Sequence, residues 1–508
     1  MSYATKSVTG PRRLIVRAAL ILTVLSAGTL TSSPAAGARR YGPGDTGVVN
    51  VSNSPDMAEG EQPLSVNPTN PNQIVVVSNT WQRTWPDPIS DAPGPTGMMM
   101  TSIYTSRDGG RTWWSGKLDQ GGFGRWSNPL AATLGVAPEW QDTLNVNSTD
   151  AGAAWDRHGN AYYEAGNVHG IHHGFDEVAT VWRSSDGLRS WGQGVTAVKV
   201  SDELMELDRP WLVVDNSGGP RDGTVYVAFS TTPFVEVPPE VYVRSSRDHG
   251  ATWGPTYRVD HGLYTTQFNP RHKPVVDAAG DLYVVYDEAP PTVTPFFDSV
   301  GQVRLVLARS RDGGKTFTNV LVDGEIERVN SPDEAIPAYT EMISAIAADP
   351  KRPGHIAVAW PQKISETSSR IMMRYTTNGG RTWTPRIDVS NSPTALAVQH
   401  DHVSLAWTQD GRVVASWRDR RCCGGSWDSR YQQWARIFAP AGNMLLAGKT
   451  IELTEGPQAN NNGHHGLTMP DEFQGLDSSG GYIMATWSQL AGRYTDVVFR
   501  RVPLTAFN

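Results

Sequence analysis

One eight-residue motif decides what this chain can fold into. Ser106-Arg107-Asp108-Gly109-Gly110-Arg111-Thr112-Trp113 returns, with small changes, from Ser184, Ser246, Ser310 and Thr376. The intervals are 78, 62, 64 and 66 residues, and such near-constant spacing marks a repeat architecture. The motif is a turn. An Asp, or Asn378 in the fifth copy, followed by glycine closes a tight hairpin: its side chain accepts backbone N–H groups and the glycine supplies a positive φ. The closing aromatic (Trp113, Trp191, Trp253, Phe317 or Trp383) is expected to tuck beneath the turn. These residues are staples of the fold rather than catalytic groups.

A second unit accompanies the turns. Pro274-Val275-Val276-Asp277-Ala278-Ala279-Gly280-Asp281-Leu282-Tyr283-Val284-Val285-Tyr286 reads as strand, turn, strand. Similar units begin near Leu64, Ala153, Leu212, Ala345, Leu405 and Leu476, which makes seven. About 470 residues follow the leader, roughly 67 per unit, close to the motif spacing. The sixth unit keeps only a decayed turn, Ala439-Pro440-Ala441-Gly442-Asn443, and the seventh ends after three strands in Asp496-Val497-Val498-Phe499-Arg500. An isolated strand, Gly47-Val48-Val49-Asn50-Val51-Ser52, stands ahead of the first unit and is the expected donor of the missing one. The predicted fold is therefore all-β: a β-propeller of four-stranded blades, seven predicted with six as the alternative, closed by an N-terminal strand that removes the open edges. Only single helical turns are expected, at Asp202 to Leu207 and Asp333 to Ala335.

Composition agrees and excludes other classes. The 508 residues are 39% hydrophobic and 19% charged, with 50 Gly, 35 Pro and 18 Trp, as turns separated by short aromatic strands require. A net charge of −7 with no Lys/Arg run argues against a nucleic-acid partner. Residues 1–38 read as a signal peptide: Arg12, Arg13 and Arg17, an apolar stretch from Ala18 to Leu30, then Ala36-Gly37-Ala38 as the cleavage site. That stretch is too short to span a bilayer, so a secreted, monomeric protein is expected, with residues 39–508 as one propeller domain. The two cysteines, Cys422 and Cys423, are adjacent; outside the cytoplasm they are expected to pair with each other, free thiols or an intermolecular bridge being the alternatives.

The turn motif is similar to the Asp-box (BNR) repeats of sialidases, and the chain resembles bacterial secreted exo-alpha-sialidase-like propellers over most of its length. That resemblance implies a glycoside hydrolase acting on terminal acidic sugars. The turns join third and fourth strands, so chemistry belongs on the opposite face, where chains enter first strands and leave second ones. Sialidases bind the substrate carboxylate with arginines, attack with a tyrosine paired to a glutamate, and use an aspartate as acid and base. By position on that face, Arg209, Arg271 and Arg418 would bind the carboxylate, Tyr494 would attack with Glu341 as its partner, and Asp91 would be the acid. Asp208, His402 and His465 would add to substrate binding. The Arg-Ile-Pro signature that opens many bacterial sialidases is replaced here by Glu61-Gln62-Pro63, and its nearest echo is Asp208-Arg209-Pro210-Trp211, two blades later.

Ordinary readings stand beside these. Asp208 and Arg209 also suit a salt bridge tying adjacent blades, Arg418 to Arg421 a solvated loop, and Tyr494 a packed edge residue. His400/His402 and His464/His465 read as hydrogen-bonded loop residues rather than a metal site, and no cofactor is expected. Two other functions remain open. One is a polysaccharide lyase, in which histidine or tyrosine takes a proton next to a uronate carboxylate. The other is a propeller that binds glycan or protein without catalysis.

Overall fold

Seven apolar runs form the second strands of the blades, and most of their described positions are buried. Leu282–Glu288 and Val413–Asp419 show no exposed position at all. A strand buried on both faces packs on both, and alternate residues here serve opposite neighbours. Leu282, Val284 and Tyr286 join a cluster with Tyr226, Val241 and Val243 of the preceding blade. Tyr283 and Val285 join one with Ile346, Ile356 and Trp360 of the following blade. β-branched and aromatic side chains suit this double role, each buried large side chain contributing about 1.5–3 kcal/mol.

The structure is a computed structural model. It describes residues 41–54, 57–82, 99–116, 146–169, 177–200, 205–233, 240–261, 272–288, 302–327, 329, 344–393, 397–425, 430–459, 474–491 and 494–508. The described strands form seven sheets, all paired antiparallel within each blade. Counting outward from the axis, the innermost strands are Leu64–Val66, Val146–Trp155, Met205–Val214, His272–Val276, Ala345–Ala348, His400–Trp407 and Gly475–Ser479. Each contacts the innermost strand of the next blade, and the seventh contacts the first. The seven hydrophobic clusters likewise sit one at each junction between neighbouring blades, including that between blades 7 and 1. The molecule is thus a seven-bladed β-propeller, and the six-bladed alternative is set aside.

The ring closes with the N-terminal strand, as expected. Val49 pairs with Phe499 and Asn50 with Val498, giving blade 7 its fourth strand. Asp496 fixes this seam by accepting from Asn50 Nδ2 at 2.5 Å and the Ser54 amide at 3.2 Å. Asp45 pairs with Arg500 at 2.9 Å. Tyr41–Asn508 forms one compact unit. The only helix among the described residues is a 3₁₀ turn, Leu504–Phe507, which buries Leu504 and Phe507 against blades 6 and 7. The helical turn expected over Asp202 to Leu207 is strand from Met205 onward, because its pairing with Pro233, Thr232 and Thr231 extends blade 3 outward. The turn expected at Asp333 to Ala335 and residues 1–38 lie outside the described residues.

The five repeated turns do join third and fourth strands. In the first, Asp108 Oδ1 accepts from the Arg111 and Thr112 amides at 3.0 and 2.9 Å, Oδ2 from the Thr112 hydroxyl at 2.6 Å, and Ser106 Oγ from the Gly110 amide at 2.8 Å. Gly110 has φ +85, and a Cβ there would lie 2.1 Å from Phe499, so only glycine fits. Trp113 packs edge-on to Phe499 at 5.0 Å. In the fifth copy Asn378 reverses one bond, donating to Thr382 Oγ1 at 2.8 Å. In blade 6 the decayed turn is a two-residue hairpin, Ala441 pairing with Met444 around Gly442 at φ 61.

Candidate active site at the channel mouth

The end of the ring opposite the repeated turns is where each chain segment enters its innermost strand. In four blades that entry carries the same irregularity. Glu61, Asp150, Arg209 and His402 are non-glycine residues with φ of 53, 53, 49 and 52. Each stands three residues ahead of a core position, Leu64, Ala153, Leu212 and Leu405. Pairing with the second strand slips across the residue: between Thr149 and Gly152, Asp208 and Trp211, and Asp401 and Ser404. In blade 1 the first strand divides there into Met57–Gly60 and Leu64–Val66, both paired to Ile74–Gln82. These are β-bulges, which re-aim a side chain. A left-handed non-glycine costs about 1–3 kcal/mol and persists where its surroundings over-determine it, which is common at functional sites. Four charged or titratable residues held in this way at one level mark the channel mouth as the candidate site. In blade 4 the equivalent residue, His272, pairs regularly with Tyr286.

Blade 6 carries the densest chemistry. Asp401 accepts from His402 Nδ1 and from Arg420, while Arg418 Nη1 lies 3.4 Å from His402 Nε2. The Arg418 guanidinium stacks on Tyr431 at 4.7 Å. Asp401, Arg418 and Arg420 are fully buried and His402 is 4% exposed. Burial, together with the neighbouring Arg418 charge, pushes the His402 pKa down to about 4, so the imidazole is neutral at physiological pH. Asp401 goes well below the usual carboxylate range: burial opposes this, but the charge of Arg420 and the hydrogen bond from His402 outweigh it. Behind them, His400 Nε2 is 3.3 Å from Asp419, which also binds Arg421. Ser369 Oγ donates to the His400 carbonyl at 2.7 Å.

The chain then turns through Cys422 and Cys423, which are bonded to each other. Both the Cys423 and Gly425 amides donate to the Arg420 carbonyl at 3.1 Å, fixing the backbone beside the buried arginines.

Blades 3 and 4 add cations. Arg209 Nε lies 3.6 Å from Asp208, both buried. Lys273 Nζ sits 4.9 Å over the Trp211 ring, and desolvation brings its pKa down to about 8. Blades 1 and 2 are acidic instead. Asn79 donates to Glu61 and accepts from the Asp150 amide at 3.0 Å, linking two bulges, and Glu164 lies buried opposite Gly152 in the second strand of blade 2.

Of the residues expected to form the site, Arg209, Asp208, His402 and Arg418 occupy this face. Asp91, Arg271, Glu341 and His465 lie outside the described residues. Tyr494 opens the third strand of blade 7, paired with Ala491, and its side chain is not among those described. The solvated-loop reading of Arg418 to Arg421 does not hold: Arg418 and Arg420 are buried, compensated by Asp401 and Tyr431, and Arg421 folds onto Asp419. Asp208 and Arg209 do form an ion pair with each other, within one strand. The two sequences set side by side earlier, Glu61-Gln62-Pro63 and Arg209-Pro210-Trp211, occupy the same bulge in blades 1 and 3. Asp150 and Glu164 also lie on this face by sequence position but are given no role by it. The further signal for Asp150 is its three-residue offset from the core, visible once the units are aligned. Among the described residues no three His, Cys, Asp or Glu side chains converge as a metal site.

No family model and no curated protein matches the chain. Among solved structures it is similar to the Hadza microbial sialidase Hz136, at 13% identity and TM-score 0.47, covering 89% of this chain and 66% of that one. It is also similar to a leech intramolecular trans-sialidase, at 10% identity and TM-score 0.45, covering 92% and 93%. A third is a protein of unknown function from Dyadobacter fermentans, at 14% identity and TM-score 0.44, covering 70% and 94%. The chain thus spans just under two thirds of the first of these. At such identities the likeness assigns no residue a role.

Proposed function

We propose that this seven-bladed propeller is a secreted glycoside hydrolase of sialidase type that takes the terminal acidic sugar of a glycan at the channel mouth. The observation that carries the reading is the recurrence of a strained, polar bulge in four innermost strands at one level, facing away from the repeated turns. One bulge presents Arg209, and another presents His402 with Arg418 beside it. Guanidinium groups bind carboxylates bidentately and stay charged when desolvated, which suits an anionic sugar. Lys273 adds a further cation in blade 4. In this reading Tyr494 attacks, Glu341 assists it and Asp91 protonates the leaving group, with Arg271 completing the carboxylate clamp and His465 contacting the sugar. The test is release of fluorophore from a fluorogenic sialoside between pH 4 and 8, with Arg209→Ala as the control variant. No release at any pH in that range would end the hydrolase reading.

The arrangement in blade 6 favours a second reading, β-elimination from a uronate polymer. A neutral imidazole oriented by Asp401 is a competent base, and Arg418 would neutralise the carboxylate beside the abstracted proton. An ultraviolet-absorbing unsaturated product from uronate polymers, without sialoside turnover, would select it. Glycan binding with neither product would leave a non-catalytic binding propeller.

A further inference from the structure

Cys422 and Cys423 close a ring around a single peptide unit where the chain leaves the second strand of blade 6. Cys422 is exposed and Cys423 half-buried, so the pair is open to solvent on the channel-mouth face. What the turn holds is buried. The Arg420 carbonyl accepts from the Cys423 and Gly425 amides at 3.1 Å. The Arg420 amide donates to the Gln399 carbonyl at 3.4 Å, and the Gln399 amide to the Gly425 carbonyl at 2.9 Å. Gly425 has a φ of +82, and a Cβ there would collide with the Ala397 carbonyl oxygen. The turn is therefore pressed against the segment that leads into His400, Asp401 and His402. From Arg420 the path continues through its guanidinium to Asp401, and from Asp401 to His402 Nδ1. A bond that solvent reaches is thus tied, through one backbone carbonyl and one buried ion pair, to the imidazole of the blade 6 bulge.

We propose that the Cys422–Cys423 bond is a thiol-exchange site that takes a small dithiol, and that its reduction loosens the hold of Arg420 on Asp401 and His402. The exchange balances between the two partners. A thiolate of the dithiol attacks Cys422 Sγ, the S–S bond breaks, and Cys423 leaves as a thiolate that takes up a proton. The second thiol of the reagent then displaces Cys422 from the mixed disulfide. Two electrons and two protons pass to the protein, and the dithiol ends as a cyclic disulfide. With the ring open, the peptide unit between the cysteines regains rotations that the bond forbids, and the amides that hold the Arg420 carbonyl let go more readily. Weaker binding of an acidic sugar in the reduced state rests on the acidic-sugar reading of this face; the exchange and its effect on His402 do not.

Three measurements on the folded full chain decide the matter. The first is alkylation by iodoacetamide after treatment with dithiothreitol, without denaturant and read by mass spectrometry. Both cysteines are expected to be labelled; a chain that stays unlabelled overturns the exchange site. The second is the titration of His402 followed by NMR. Reduction is expected to admit water and raise its midpoint by about one pH unit or more, and reoxidation to restore it. An unmoved midpoint overturns the coupling. So does a dithiothreitol effect on His402 that persists in the Cys422→Ser/Cys423→Ser variant, because the bond is then not its source. The third is calorimetric binding of sialic acid, expected to be about tenfold weaker after reduction. Equal affinity in the two states overturns the link to sugar binding. A chain that binds sialic acid in neither state tells against the acidic-sugar reading, while the first two measurements still judge the exchange and its coupling.

Discussion

Arg418 lies 4.7 Å over the ring of Tyr431, with both side chains fully buried. The stack holds a guanidinium against the imidazole of His402, and that charge, after burial, is what depresses the histidine. Replacing Arg418 by Met keeps most of the volume and removes the charge. His402 is then expected to titrate at higher pH than about 4, read from its imidazole resonances by NMR. Binding of an acidic sugar is expected to weaken by about tenfold or more, as loss of a charge-assisted pair implies. An unchanged His402 titration would show that Arg418 has no electrostatic role there.

The seam gives a stability prediction. Asp496 receives hydrogen bonds from Asn50 and Ser54, the segment that completes blade 7. Asp496→Ala is expected to cost about 2 kcal/mol, because two donors lose a charged acceptor. Urea unfolding measures it. A midpoint within error of wild type would mean the N-terminal strand is held by its backbone pairing alone.

Two sets of carboxyls should give opposite pH dependences. Glu59 is buried at the same seam, bonded to Tyr104, and desolvation raises its pKa from 4.5 to about 7. A raised carboxyl pKa means stability that is present below about 4.5 and lost as pH rises through about 7. Glu59→Gln should therefore flatten the loss on the alkaline side. The turn carboxylates behave in the reverse sense. The Thr252 hydroxyl lowers Asp248 to about 2, so its contribution is present above the ordinary aspartate range and lost as pH falls toward 2. Thermal midpoints of wild type, Glu59→Gln and Asp248→Asn from pH 3 to 9 distinguish the two.

Cys422 and Cys423 predict a simple count. Denatured but unreduced protein should show no thiol reactive to a chromogenic disulfide reagent, and reduction should expose two. Replacing both by serine frees the turn whose amides hold the Arg420 carbonyl. Sugar binding is expected to fall more than thermal stability does. Equal thiol counts before and after reduction would refute the bond.

The blade count, the joining of third to fourth strands by the repeated turns and the strand donated by residues 47–52 were all legible in the sequence. They follow from local rules: turn residues at fixed offsets, apolar runs of strand length, and one strand too few at the end. The bulges were not. Glu61, Asp150, Arg209 and His402 share no residue type, and their left-handed backbone is imposed by the packing of neighbouring blades. The alternative reading of Arg418 and Arg420 as a solvated loop rests on charge ordinarily meaning exposure, whereas here Asp401 and the Tyr431 ring replace water.

The pairing of Val49 with Phe499 has a consequence for biogenesis. Six blades are made from contiguous stretches and can assemble as the chain emerges, each leaning on the one before. The seventh needs residues from both ends, so the circle stays open until synthesis is complete. Until then blades 1 and 7 each expose an apolar face that only the other can cover. A ribosome-bound or truncated chain would be a sticky arc, vulnerable to chaperone capture and proteolysis, and the final strand works as a clasp that turns the arc into a protease-resistant ring.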